Sequence, residues 1–287
     1  MKTIISLMML TVLLAGCESV PIERGKSREL DLLAATIEAA SKAARPISET
    51  EEYYVGRAVA ARLLSMYPLL KDQGLTEYVN LVGLSVALHS ENPFTYGGYH
   101  FEILDTQEVN AFACPGGTIF ITRGMIDAVR NEDELAAVLA HEVAHINHRD
   151  GIASIKKSRW TEALAVIGSE AAKQYGSEDL NKLVGLFEGS IDDVIKTLVV
   201  NGYGREQESD ADKTALAYLA QTGYDPHALE SFVKRLIEQG RGSVGGMLKT
   251  HPGTADRLEN IEGNMSHQRP DPSFMQTRTR RFNAAVR

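Results

Sequence analysis

The chain has 287 residues, of which 44% are apolar, so it can bury a sizeable core and is not a disordered protein. Its formal net charge of -8 lacks the basic excess that a nucleic-acid-binding surface usually shows. No nucleic-acid partner is therefore expected, and enzymes and binding modules are the two classes that stay open.

The first residues have the pattern of a signal peptide. Lys2 precedes about a dozen mainly apolar residues, too few to span a bilayer comfortably, and small residues follow them. The end of this stretch, Leu14-Ala15-Gly16-Cys17, resembles the lipobox of bacterial lipoproteins, in which the cysteine carries the lipid. The resemblance implies a periplasm-facing lipoprotein attached through Cys17 and, since Glu18 follows, sorted to the outer membrane. An ordinary secretion signal with a chance cysteine is the alternative.

The chain contains only one other cysteine, Cys114. If Cys17 carries lipid, no intramolecular disulfide is expected in this exported protein. Stability must then come from the apolar core, from a metal, or from both.

Helical patterns dominate the N-terminal part of the chain. An apolar stripe predicts a first helix over Arg28–Ala44. Ser48 followed by Glu51 is a capping box that begins a second helix, which extends to about Met66. A third helix is predicted from about Thr76 to His89.

The pattern changes between Tyr99 and Arg123, where YHFEILDT and GTIFITRG are rich in aromatic and β-branched residues. The segment NAFACPGG between them carries turn signals. We expect a small antiparallel sheet here, with GTIFITRG as an edge strand that could pair with an extended peptide. The predicted fold class is α+β and mainly α-helical, with this sheet beside the helix that follows it in the chain.

Asn131 and Glu134 predict the start of a helix that carries ELAAVLAHEVAHINHRDG. Further helices are expected within residues 152–200, over Arg205–Thr222 and over Pro226–Gln239. A glycine-rich linker, GRGSVGG, follows and suggests a movable lid through Gly242, Gly245 and Gly246. The last twenty or so residues are expected to form a loosely held, solvated tail, with contact to lipid headgroups as the less favoured reading.

His141 and His145 are four residues apart, so a helix places both on one face, where two imidazoles can meet one ion. Glu142 lies about 100° around the helix, within reach of a water on that ion. The pattern is His-Glu-x-x-His, which predicts a zinc site with a glutamate base.

A catalytic zinc needs a third protein ligand and an open position. A metzincin would supply a histidine where this chain has Gly151, and His148 lies only three residues after His145. The other source is a glutamate from a second helix, and GREQESDADKTALAYL offers Glu206 with Asp210 or Glu208 with Asp212. The face through Glu208 continues into apolar residues, so Glu208 is the better candidate.

These motifs together resemble the HtpX family of gluzincin metallopeptidases, in its periplasmic lipoprotein branch. The matching residues are His141-Glu142-Val143-Ala144-His145, Arg205-x-x-Glu208-x-x-Ala211-Asp212, Asn110-Ala111-Phe112-Ala113-x-Pro115-Gly116-Gly117 and Thr250-His251-Pro252. The resemblance covers roughly residues 48 to 262 and implies a zincin-like fold.

The resemblance implies one Zn²⁺ held by His141, His145 and Glu208, with Glu142 as catalytic base. Asp212 would orient a ligand histidine through its free ring N–H. His251 matches a histidine that in one branch occludes the water site; a hydrogen bond to the oxyanion or a helix cap are the other readings.

The predicted domain organisation has four parts: a signal peptide (1–16), a lipidated tether and helix (17–47), a zinc metallopeptidase domain (48–264) and a C-terminal tail (265–287). The predicted function is a zinc endopeptidase that hydrolyses unfolded or misfolded envelope proteins. A metal-containing chaperone-like or binding lipoprotein without turnover is the alternative, and it differs in needing no base at Glu142.

Overall fold

A computed structural model describes residues 46–156, 177–239, 247–251, 255–265 and 270–286. The predicted signal peptide, Cys17, the first predicted helix and the GRGSVGG linker lie outside these residues. The described elements, in chain order, are α1 (Glu49–Leu64), α2 (Gln73–Ala87), β1 (His100–Leu104), β2 (Ala111–Cys114), β3 (Thr118–Thr122), α3 (Arg123–Ala128), α4 (Glu132–His148), α5 (Asp150–Ala153), α6 (Ser177–Ile195), a π-helix (Lys196–Asn201), α7 (Arg205–Thr222), α8 (His227–Glu238), α9 (Met247–Thr250), α10 (Ala255–Gly263) and α11 (Pro272–Val286).

Two helix starts follow from local capping and are confirmed. Ser48 caps α1 in a complete capping box, because its side chain accepts from the Glu51 N–H while the Glu51 carboxylate accepts from the Ser48 N–H. Asn131 caps α4 by accepting from the Glu134 N–H at 2.9 Å. Both caps satisfy backbone donors that a helix start otherwise leaves without partners.

The sheet has three strands in the order β1-β3-β2 and is mixed rather than wholly antiparallel. β2 pairs with β3 antiparallel, as expected, but β1 pairs with β3 in parallel. The turn signals of NAFACPGG are confirmed at residues 115–117, and the residues before them, Ala111–Cys114, form β2. GTIFITRG is not an edge either, since β3 lies between the other two strands.

β2 contributes to two apolar clusters because its side chains alternate between the faces of the sheet. Ala111 and Ala113 pack in the cluster around α2, α4, α7 and α8. Phe112 and Cys114 pack in a second cluster with α1 and the π-helix. α4 contacts α7, α2 and β2, so it lies in the interior and almost every residue it carries is buried.

The C-terminal residues differ from the expected solvated tail. Pro272–Val286 forms a helix, α11, whose Phe282 is 1% exposed. Arg278 of α11 pairs with Asp133 at 2.5 Å, and Arg281 pairs with Glu132. Arg278 and Phe282 are four residues apart and therefore lie on one face of α11. This face packs α11 against the start of α4, although the helix is polar in composition.

A left-handed residue separates α4 from α5. Arg149 has φ 59°, the one positive φ of a non-glycine residue in the described ranges. Its guanidinium donates to Glu52 at 2.7 Å and to the carbonyl of Ile47 at 2.6 Å. These contacts offset the backbone cost of the αL conformation, which is about 1–2 kcal/mol, and the turn brings Asp150 back beneath α4.

None of the helices in the described ranges has both the length and the apolar composition needed to cross a bilayer.

Candidate metal centre

α4 places the three residues of the His-Glu-x-x-His pattern in the interior. His141 and Glu142 are 0% exposed and His145 is 1% exposed. The Nε2 atoms of the two imidazoles lie 3.1 Å apart, so both rings point at one spot. A helix achieves this because residues four apart stand above one another on the same face.

α7 brings Glu208 to the same spot. Its carboxylate oxygens lie 3.5 Å from Nε2 of His141 and 3.5 Å from Nε2 of His145. Of the two registers that the sequence offered, the structure turns Glu208 and Asp212 inward, at 2% and 1% exposure. It leaves Glu206 and Asp210 exposed.

His251 completes a four-residue cluster. Its Nδ1 lies 2.9 Å from the nearer oxygen of Glu208 and 3.2 Å from Nε2 of His141. One donor atom from each of His141, His145, Glu208 and His251 lies within 4.8 Å of the others. With His251 at 2% exposure, the cluster is closed to solvent.

Two carboxylates lie beside the other ring nitrogens of the histidines, and the one next to His145 is hydrogen-bonded to it. Asp212 lies 2.9 Å from Nδ1 of His141, and Asp150 lies 2.7 Å from Nδ1 of His145. Such contacts fix the ring orientation and leave Nε2 free to bind a metal. Asp212 was expected from the sequence, but Asp150 was not, because Asp150 reaches back only through the left-handed turn at Arg149.

A buried arginine, also missed from the sequence, lies behind the carboxylates. Arg257 of α10 binds both oxygens of Asp212, at 2.5 and 2.8 Å, and lies 3.1 Å from Glu208. Burial disfavours ionisation of Glu208, but His251 and the Arg257 guanidinium outweigh it and hold the pKa of this carboxyl well below its usual range. Glu208 is therefore a carboxylate at neutral pH, as a metal ligand must be.

The protonation of His145 also depends on its neighbours. Burial alone lowers the pKa of an imidazole, but the carboxylates of Asp150 and Glu208 raise the pKa of His145 to about 10. A cation therefore stabilises this site, whether it is a proton on the ring or a divalent ion that replaces it. Tyr203 covers the ring, stacked at 4.2 Å between centroids.

Glu142 provides the test of whether these residues fit a metal. Its carboxylate is fully buried, yet within the described ranges neither oxygen accepts a hydrogen bond, and Nε2 of His251 lies 3.7 Å from it. A buried carboxylate without a donor is costly and points to a missing polar partner. A divalent ion among the donors, with a water on it, would supply that partner, so the residues fit the group.

His148, the third histidine of α4, does not join the cluster. Its Nε2 lies 3.0 Å from the hydroxyl of Thr214 at a partly exposed position. Its contact therefore stabilises the packing of α4 against α7 and leaves the donor set to the other residues.

Two histidines that flank a glutamate on one helix, together with a glutamate from a second helix, form the donor set of a gluzincin-type metallopeptidase. Residues 74–265 match the model described as Peptidase family M48, and the chain belongs to this family. The resemblance to HtpX-type gluzincins is thus confirmed.

Named relatives include proteases from bacteria and mitochondria. The chain is 28% identical over 240 residues to the beta-barrel assembly-enhancing protease of Escherichia coli K12, which covers 80% of this chain and 47% of that protein. It is 33% identical over 156 residues to the mitochondrial metalloendopeptidase OMA1 of Schizosaccharomyces pombe, with 53% and 42% coverage. It is 27% identical over 167 residues to the metalloprotease LoiP of E. coli K12, with 58% and 63% coverage. The chain thus spans about half the length of the first of these relatives.

Proposed function

We propose that this protein is a zinc-dependent endopeptidase. The observation that carries the proposal is the convergence of His141, His145 and Glu208 beside Glu142, a buried carboxylate without a hydrogen-bond donor within the described ranges. In this proposal the first three residues hold one Zn²⁺, and Glu142 is the base. Asp212 and Asp150 orient the two imidazoles.

A zinc ion at this position would polarise the scissile carbonyl and lower the pKa of a bound water from 15.7 to about 7. Glu142 accepts the proton of the attacking water and returns a proton to the leaving amine. Its burial keeps bulk water from its carboxylate, which strengthens its hydrogen bond to the attacking water. No cysteine or serine nucleophile is needed, and Cys114 is buried within the fold.

Substrate binding is proposed at the edge formed by β2, in place of the GTIFITRG edge expected from the sequence. The outer side of β1 is already engaged, since Leu70 N–H donates to the Ile103 carbonyl at 2.8 Å. The Thr122 N–H donates to the Asn110 carbonyl, so the antiparallel alternation turns the main-chain groups of Ala111 and Ala113 away from β3. In the described arrangement Ala111 and Ala113 are 0% and 3% exposed, so an extended peptide could pair with that edge only after the residues that cover it move. Such pairing selects unfolded segments.

The proposed substrates are unfolded or misfolded proteins of the bacterial cell envelope. The support is the lipobox resemblance at Cys17 together with relatives named as a beta-barrel assembly-enhancing protease and the metalloprotease LoiP. In this proposal a lipid on Cys17 holds the enzyme at the periplasmic face of the outer membrane.

The test of the proposal is Glu142→Gln in the full chain, with unfolded casein as substrate. The variant should retain one zinc per chain and lose cleavage by about 10²–10⁴-fold, the usual contribution of a general base. Glu206→Gln, at the exposed carboxylate two residues from Glu208, is the matched control and should cleave normally. Full activity of Glu142→Gln would refute the assigned base.

A second candidate function is a binding or chaperone-like lipoprotein with a structural metal. The placement of His251 favours it, because closed structural zinc sites have four protein ligands and this cluster offers four donors. This candidate predicts that Glu142→Gln leaves function intact, whereas the peptidase proposal predicts its loss.

We further propose that His251 occludes the site in the arrangement described here. His251→Ala should then cleave unfolded casein faster than the parent. A variant that binds zinc but cleaves at least tenfold more slowly would instead assign His251 to stabilisation of the oxyanion.

A further inference from the structure

Arg257 contacts three residues of the metal centre at once. Besides the two oxygens of Asp212 and the carboxylate of Glu208, its Nη1 donates to the main-chain carbonyl of His251 at 3.1 Å. The guanidinium is buried, with its side chain 4% exposed. One cation therefore touches a proposed ligand, the carboxylate that orients His141, and the backbone that carries the occluding imidazole.

The carboxylates of Glu208 and Asp212 need this cation. They lie four residues apart on the same face of α7, and both are buried, so their charges repel each other in a poorly screened environment. Arginine suits the position because its planar fork can bind one carboxylate through two nitrogens and still direct the third to other acceptors. Lysine has a single nitrogen and cannot span these acceptors.

The same nitrogen, Nη1, lies 3.1 Å from both Glu208 and the His251 carbonyl. This nitrogen therefore links the backbone of His251 directly to the carboxylate of the proposed ligand Glu208. Met247 adds one fixed point to this segment, since its N–H donates to the Val109 carbonyl at 2.7 Å. The neighbouring Thr250 is held as well, since its carbonyl accepts from the Tyr203 N–H at 3.1 Å and its hydroxyl donates to Asn110 at 3.2 Å. Besides the ring of His251 itself, the side chain that joins this segment to Glu208 within the described residues is that of Arg257.

We propose that Arg257 is a positioning residue that ties the backbone at His251 to the ligand carboxylate Glu208, so that the closed placement of the imidazole depends on Arg257. The inference rests on the proposed function. It extends that function in two ways. It assigns a role to Arg257, which is outside the donor set, and it links the ligand Glu208 to the occluding residue His251 through one guanidinium.

The experiment is a double-mutant cycle in the full chain: parent, Arg257→Lys, His251→Ala and the double variant. Zinc affinity is measured by competition with a chelator, and cleavage of unfolded casein is measured in parallel. Arg257→Lys should weaken zinc binding about 10–100-fold, the usual cost of removing a partner of a ligand. The effect of His251→Ala on zinc affinity and on cleavage should then shrink by at least about threefold in the Arg257→Lys background.

Arg235 provides a matched control, because it makes the same kinds of contact elsewhere. It is buried, binds both oxygens of Glu134 at 2.7 and 2.5 Å, and donates to the carbonyl of Ala128 at 3.1 Å. Arg235→Lys should lower the melting temperature as Arg257→Lys does. Arg235→Lys should leave zinc affinity and the effect of His251→Ala unchanged. If Arg257 were purely structural, the two lysine variants would behave alike in both measurements.

An equal effect of His251→Ala in the parent and in Arg257→Lys overturns the inference, and so does a parent in which His251→Ala changes nothing. Arg257→Gln repeats the test should the lysine variant unfold. Unfolding of both Arg257 variants while Arg235→Lys folds would also count against it, by making Arg257 a residue of the fold. A parent that neither binds zinc nor cleaves would overturn the proposed function itself.

Discussion

The two ends of α4 both bury acidic side chains, but only one end pairs them. At the start, Glu132, Asp133 and Glu134 are at most 5% exposed, and each meets an arginine, from α11 or α8. Glu132 also accepts from the hydroxyls of two tyrosines. Near the other end, Glu142 is 0% exposed and, within the described ranges, accepts no hydrogen bond.

The difference separates acids that have partners within the fold from one on the same helix that accepts no hydrogen bond in the described ranges. A buried carboxylate is tolerated when arginine and hydroxyl donors surround it, and the first turn of a helix adds the favourable end of its dipole. The same group without donors is costly and persists where a ligand completes its environment. All four acids are buried, so burial does not distinguish Glu142 from the other three. The presence or absence of hydrogen-bond donors does.

Glu134→Gln tests the paired end of α4. The substitution leaves the buried Arg235 guanidinium without its charge partner, so the free energy of unfolding should fall by about 3 kcal/mol or more. Denaturant titration measures this fall, and zinc affinity should not change. A variant as stable as the parent would show that the acids at this end do not depend on their arginines.

Removal of the metal tests the other end. With free zinc at 100 times its Kd, binding to the folded state contributes about 2.7 kcal/mol, so excess chelator should lower the melting temperature by about 5–10 °C. His148→Ala should show the same shift, since His148 contacts Thr214 instead of the donors. His145→Ala should show almost none, and an equal shift in that variant would exclude His145 as a ligand.

Asp150→Asn tests whether the carboxylate that contacts Nδ1 of His145 contributes to zinc affinity. The amide can still accept from Nδ1 of His145 but carries no charge, so zinc affinity should fall about tenfold, or about 1.4 kcal/mol. Asp210→Asn, at an exposed carboxylate of α7, is the control. Equal affinities of both variants would remove Asp150 from the site.

Glu142→Gln should have the opposite sign to Glu134→Gln in metal-free protein. Here the substitution removes a buried charge that lacks donors, so the free energy of unfolding should rise by about 1 kcal/mol. Denaturant titration in excess chelator measures it. A loss as large as that of Glu134→Gln would mean that Glu142 has a structural partner after all.

Arg281→Ala should have the smallest effect at the paired end. Its side chain is 43% exposed, so solvent screens its ion pair with Glu132, and the hydroxyls of Tyr78 and Tyr224 remain as donors. The loss in unfolding free energy should stay below about 1 kcal/mol. Arg278→Ala, at a buried position of α11, should cost more, and the reverse order would contradict this account.

Features of the fold that depend on nearby residues were predictable from the sequence. The caps at Ser48 and Asn131 are such features, because donor and acceptor lie three residues apart. β2 was not predictable in this way, since alanine and cysteine have little strand preference and pairing with β3 decides the conformation. The parallel pairing of β1 with β3 is likewise a property of the whole sheet.

The candidate site divides along the same line. The spacing of His141 and His145 and the apolar face that continues from Glu208 are visible in the sequence, and the structure brings these residues together. Asp150 and Arg257 are not visible, because one depends on a left-handed turn and the other on α10 reaching α7. For the same reason α11 was mistaken for a tail: its anchors are arginines, and their acidic partners lie about 145 residues earlier.

The side chain of Arg149 holds the carbonyl of Ile47, next to the first capped helix, while the following residue braces His145. The described part of the chain thus begins beside the candidate metal centre. From Cys17 to Ile47 the covalent chain extends no further than about 100 Å. If a lipid is attached at that cysteine, the length of this segment limits how far from the bilayer surface the start of the described part of the chain, and the site beside it, can lie.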